Sequence, residues 1–212
     1  ASDVYKRQAN GTSYSFKAMQ AKDQTITATK RSSFHGDTIT GDDGNYSVGF
    51  YAAPGFGETM RNFVQLDLVP EGVGVTGYAM SDKFAKLPGA RVEAIDNYKN
   101  TGRTAIIWRA NEVPYDAVTP ESVFNVGTIG INIDITRQDG DMRNEVFVKA
   151  DGTELDNKIT SPDPAYPFLD EGVWSRAGVT DGIKAGESMQ QRKQIRKYDA
   201  DGKPGLWLDG IE

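Results

Sequence analysis

Short alternations of apolar and polar residues, broken by Gly, Asn, Asp and Pro, run through the first two thirds of this chain. A period of two puts successive side chains on opposite faces of a strand. It predicts strands over 25–30, 45–52, 62–69, 75–80, 90–95, 104–110, 127–136 and 144–149. Tyr46, Val48 and Phe50 share one face; Ile131, Ile133 and Ile135 share another, with Asn132, Asp134 and Thr136 opposite. Helical periodicity is nearly absent, apart from a short helical turn expected at 82–88. Strands with one apolar face bury it by pairing sheets, so the pattern predicts an all-β antiparallel sandwich with long loops.

The pattern changes after Gly152. Pro162, Pro164 and Pro167 break any central strand there, and 153–192 reads as an extended loop or linker. Alternation resumes at 192–198, and Leu206-Trp207-Leu208 comes after a Gly/Pro turn. The division expected is an N-terminal arm over 1–24, a sandwich domain over 25–152, the linker over 153–192, and the start of a following repeat or a closing strand over 193–212. Residues 2–8, Ser-Asp-Val-Tyr-Lys-Arg-Gln, resemble the in-frame translation of a transposon end used to tag DNA for sequencing. They are set aside from functional argument, and no compartment is inferred from the lack of a leader.

Composition narrows the chemistry. Thirty acidic against 24 basic residues give a net charge of −6, which argues against a nucleic-acid partner. There is no cysteine, hence no disulfide and no thiolate metal site, and no apolar run long enough for a membrane span. His35 sits in a turn and is the single histidine, too few for a multi-His metal site. Asp199-x-Asp201-Gly begins like a calcium loop, but Lys203 and Pro204 supply no ligands. The turn pairs Asp42/Asp43 and Asp139/Asp141 read as solvated acids. Calcium is the one ion they suggest, without further support, and no cofactor is expected. Ser32, Ser33, His35 and Asp37 read as one polar turn rather than a triad. Tyr14, Phe16, Tyr51, Tyr98, Tyr115, Trp174 and Trp207 are candidates for a sugar-stacking platform or for packing.

Three segments recur in one family's order: Ile26-Thr-Ala-Thr-Lys30 with Tyr46-Ser-Val-Gly-Phe50, then Asn62-Phe-Val-Gln-Leu-Asp67-Leu-Val-Pro70-Glu-Gly72, then Arg143-Asn144-Glu-Val-Phe-Val148. Over roughly 25–149 the chain resembles the Ig-like β-sandwich repeats of Gram-positive surface adhesins, the collagen-adhesin-like and isopeptide-forming pilin-type domains. The resemblance implies an Ig-like fold, an extracellular, cell-surface setting, tandem neighbouring repeats as partners and a host, matrix or glycan ligand that the sequence does not name. It implies no enzymatic turnover. In cross-linking members a lysine amine attacks an asparagine amide and ammonia leaves.

That reaction has physical requirements. The lysine must be neutral, which burial favours; a protonated buried carboxyl must polarise the amide; a rigid scaffold must hold the groups together. The resemblance implies Lys30 and Asn144 as the cross-linked pair and Asp67 as the acid. Asp67 and Asn144 come after Lys30 by 37 and 114 positions. Lys30 shares a face with Ile26 and Ala28, and Asn144 with Val146 and Val148, so both can point inward. In an Ig-like sandwich the first and last strands lie side by side, where the pair could meet. Asp67 fits less cleanly, because Val64, Leu66 and Leu68 form the better apolar face. A bulge, a strand covered on both faces, or another acid would each resolve this, and Glu112, in register with Ile106 and Trp108, is the fallback. Each residue also has an ordinary reading: a snorkelling lysine, a turn-capping asparagine, a turn acid. The alternative function is a carbohydrate-binding or accessory β-domain of a secreted glycan-active protein, which calls for an exposed aromatic row.

Overall fold

The computed structural model describes residues 6–9, 12–15, 25–33, 43–52, 59–120, 122–133, 140–183, 194–198 and 204–209. The strands are β1 (Lys6–Ala9), β2 (Thr12–Ser15), β3 (Thr25–Ser32), β4 (Asp43–Ala52), β5 (Met60–Leu68), β6 (Val73–Met80), β7 (Arg91–Ile95), β8 (Ala105–Val113), β9 (Val123–Ile133), β10 (Gly140–Asp151), β11 (Glu154–Leu155), β12 (Lys158–Ser161), β13 (Gly172–Ile183), β14 (Gln194–Tyr198) and β15 (Pro204–Asp209). The helical turn expected at 82–88 is a short 3-10 turn at Phe84–Lys86.

Two sheets carry the fold. One has six strands in the order β12-β13-β10-β5-β8-β7; the other has five, β11-β3-β4-β9-β6. Their pairings are antiparallel except β11 with β3, which is parallel. β1 pairs with β2, and β14 with β15, as separate hairpins. The fold is therefore the all-β sandwich that the alternation predicts. Its interior is built by Ile26 and Ala28 of β3, Tyr46, Val48 and Phe50 of β4, and Ile129, Ile131 and Ile133 of β9, packed against Phe63, Ile106, Trp108, Val146 and Val148 of the other sheet. Ile135 lies outside the described residues.

The stretch expected to be loop or linker differs most. Residues 154–183 contribute β11, β12 and the twelve-residue β13, which join both sheets. Their sequence hides this, because β13 mixes small, polar and apolar side chains on both faces. Trp174, Ser175 and Asp181 are buried while Val173 and Gly178 are exposed. The segment between β12 and β13 also closes over the outer face of the six-stranded sheet. There Tyr166, Phe168 and Leu169 pack on Phe147, Leu66, Leu68 and Ile107 as a second apolar cluster. Phe147 meets Tyr166 and Phe168 edge-on at 5.4 and 5.5 Å.

β5 consequently has two dry faces. Its backbone turns over at Asn62, whose φ of +52° is left-handed, so that Met60 and Phe63 both face the interior. From Phe63 onward the odd positions Gln65 and Asp67 continue inward. Val64, Leu66 and Leu68 face the second cluster. Of the resolutions open for Asp67, coverage of both faces is observed at Asp67 itself; the register irregularity between β5 and β10 lies earlier on β5, between Arg61 and Val64.

Candidate functional site

Buried polar side chains are few in this interior, and four of them gather at the β3 side: Lys30, Asp67, Asn144 and Asp181, of which the last three are fully buried. Lys30 enters from β3, after Ile26 and Ala28 on the same face. Its amine donates to Asp67 Oδ2 of β5, and neither side chain is exposed to solvent. The amine also lies 4.3 Å from the centre of the Tyr46 ring on neighbouring β4.

Strand register places the rest. Asp67 stands opposite Val146, and Asn144 opposite Val179, all on the inward face of the six-stranded sheet. Asn144 is thus a diagonal neighbour of Asp67, a spacing that side chains span. The Asn144 amide biases the titration of both Asp67 and Tyr46, yet neither its nitrogen nor its oxygen makes a well-formed hydrogen bond. Asp67 Oδ1 is also buried without a partner. Tyr46 points its hydroxyl at Met142 Sδ, 3.8 Å away.

Electrostatics derive from dryness. Burial pushes the Lys30 amine below its ordinary value, against the opposing pull of Asp67. Burial pushes the Asp67 carboxyl up, against the opposing pull of Lys30. Both displacements favour the uncharged tautomer, an amine beside a carboxylic acid. Burial also raises the Tyr46 phenol, with Asp181 and Asp67 adding to it. An amine and a carboxyl both displaced toward their uncharged forms, beside a carboxamide, are the components of an amide exchange.

Lys30, Asp67 and Asn144 come together by a different route from the one expected. β10 does not lie beside β3; it sits in the other sheet, between β5 and β13. The strand that runs along β3 is β13, tied to it by the Ala28 amide donating to Ser175 Oγ at 2.9 Å. Lys30 and Asn144 therefore face each other across the sandwich. Glu112 takes no part: its side chain is 48% exposed near the end of β8 and 3.9 Å from Arg61. Asp181 was not foreseen, since it lies on a strand the sequence pattern hides.

The other candidates are dispersed. Asp43 accepts from Asn132 Nδ2 at 2.9 Å. Tyr98 and Trp174 are buried, while Tyr115 is exposed. His35, Asp37, Asp42, Asp139, Phe16, Asp199 and Asp201 lie outside the described residues, as do the side chains of Tyr14, Asp141 and Trp207.

No protein-family model and no curated protein matches this chain. Among solved structures it is similar to a cohesin module of a family 33 glycoside hydrolase from Clostridium perfringens, at 10% identity and TM-score 0.44, covering 75% of this chain and 96% of that one. It is also similar to a C-terminal fragment of the major pilin of Streptococcus agalactiae, at 10% identity and TM-score 0.45, covering 86% of this chain and 61% of that one. A third is the backbone pilin of serotype M6 Streptococcus pyogenes, at 11% identity and TM-score 0.40, covering 92% of this chain and 44% of that one. At such scores these likenesses carry no functional argument.

Proposed function

We propose that this chain is a structural and adhesive module of a bacterial surface protein, stabilised by a self-formed isopeptide bond between Lys30 and Asn144. One observation carries the reading. A solvent-free amine touches a solvent-free carboxyl beside an amide neither end of which makes a well-formed hydrogen bond, in a largely apolar interior. Such groups are costly to bury unpaired. Amide exchange removes that cost by turning the amine and the carboxamide into one neutral amide.

In this reading Lys30 Nζ attacks Asn144 Cγ. Asp67, as the acid, polarises the amide oxygen and carries a proton from Nζ to Nδ2. The Cγ–Nδ2 bond breaks and ammonia departs. The chain reacts once on itself and turns nothing over. As a surface module it would sit in tandem with neighbours outside the cell, spacing or presenting a ligand-binding part. The carbohydrate-binding alternative asks for an aromatic row; among the residues whose side chains are described, the exposed aromatics are Tyr78 on β6 and Tyr115 beyond β8.

Intact mass tests the bond. The purified protein is expected to weigh one ammonia less than its sequence, and Lys30→Ala to carry its full mass. A wild-type protein at full sequence mass refutes the cross-link.

A further inference from the structure

The cross-linking reading leaves one fully buried carboxyl in the same cluster without a task. Asp181 lies on the inward face of β13, opposite Met142 of β10. Asp67 lies opposite Val146 of β10 on the other side. Asn144 stands between Met142 and Val146 on that face, so a carboxyl flanks it diagonally from each neighbouring strand. The charge of Asp181 acts on both Lys30 and Tyr46, which places it in the same cluster.

A primary amide has two unlike ends, an acceptor oxygen and a donor nitrogen. For attack from the opposing sheet, Asn144 must present its carbonyl carbon to Lys30 with its rotation about the side chain fixed. One carboxyl can fix one end. Asp67 is engaged by Lys30 at one oxygen, which leaves its other oxygen for the amide.

Resting on the cross-linking reading, we propose that Asp181 is a positioning residue of that reaction, engaging the end of the Asn144 amide turned away from Asp67. In the reaction Nζ–Cγ forms, Cγ–Nδ2 breaks, and the proton that Nδ2 gains is the one Nζ gives up. Asp181 exchanges no atom. It holds the amide in the orientation from which ammonia can leave, and its negative charge bears on Lys30. The other groups facing Lys30 are Asp67 of β5, Tyr46 of β4 and, more distantly, Arg103 ahead of β8.

The test tracks the mass change with time in chains recovered unfolded and still at full sequence mass from inclusion bodies, then diluted from denaturant into buffers at a series of pH values, comparing wild type with the near-isosteric Asp181→Asn and with Asp181→Ala. Bond formation is expected to slow roughly a hundredfold in Asp181→Asn and further in Asp181→Ala, the scale of a misplaced reacting group. Loss of the negative charge also makes Lys30 easier to deprotonate, so the acid limb of the pH–rate curve should move to lower pH. Packing alone would not move that limb. An unchanged rate and acid limb in Asp181→Asn overturns the proposal, and so does a slower rate with an unmoved limb. If Asp181→Ala does not fold, Asp181→Asn decides alone. A wild-type chain that refolds at full sequence mass is a separate outcome: it refutes the cross-linking reading and this proposal with it.

Discussion

β4 and β5 are both central strands lined by Phe and aliphatic side chains, yet they carry opposite kinds of information. Along β4 buried Tyr46 and Val48 alternate with exposed Asn45 and Ser47, because the outer face of its sheet meets water. Along β5 Phe63, Leu66, Asp67 and Leu68 are all buried, because the segment between β12 and β13 covers the outer face of the other sheet. A strand with one wet face states its orientation in its sequence. A strand with two dry faces does not, and a carboxylate on it can be assigned to either side. The buried Lys30–Asp67–Asn144 cluster spans the two kinds: Lys30 comes from the sheet with an open face, Asp67 and Asn144 from the sheet with a covered one.

The largest expected effect falls on the covered sheet's inward face. Asp67→Ala removes the cross-link and also leaves the Lys30 amine, a buried polar group, without its partner, which by itself typically costs about 1–3 kcal/mol. Urea denaturation should register that loss, and intact mass should show no loss of ammonia. The paired groups also fix a pH dependence. The reactive tautomer holds one proton, on Asp67 and not on Lys30. As pH falls Lys30 takes up a proton, and as pH rises Asp67 loses one, so bond formation should trace a bell-shaped curve. A rate that rises monotonically with pH would remove Asp67 from the acid's role.

A smaller effect probes the cover itself. Leu169→Ala trims the second cluster at its rim and should cost about 2 kcal/mol, the low end for a buried leucine. It should leave ammonia loss intact, because Leu169 and Asp67 lie on opposite sides of the sheet. The smallest effect is expected at Thr29→Ala, on the half-exposed outward face of β3. Its stability should change by no more than about 0.5 kcal/mol. A cost there comparable with that of Leu169→Ala would mean that the five-stranded sheet's outer face is also covered in solution.

The same contrast explains what could be read from the sequence. Alternation in β3, β4 and β9 gave the sandwich and the inward aim of Lys30. Asn144 was legible for the same reason, through Val146 and Val148. Asp67 was ambiguous because Val64, Leu66 and Leu68 outcompete Phe63 and Val69 as an apolar face, and nothing local announces the cover. The cover and β13 come from a stretch whose prolines and glycines mimic a linker; their order depends on contacts made far away in sequence, such as Phe168 with Phe147. With β13 hidden, Asp181 was hidden too, and the neighbour of the first strand was misassigned to β10.

Lys30 and Asn144 face each other from opposite sheets, and that placement governs how a bonded chain would answer a pull. Tension entering ahead of β3 would cross the side-chain bridge to β10, leaving 31–143 as a slack side branch in which β4 to β9 bear no load. The chain beyond Asn144 remains in series with the force. β13 and the segment over the six-stranded sheet would then act as a short extensible tether, able to lengthen and re-dock while the bridged part keeps its length.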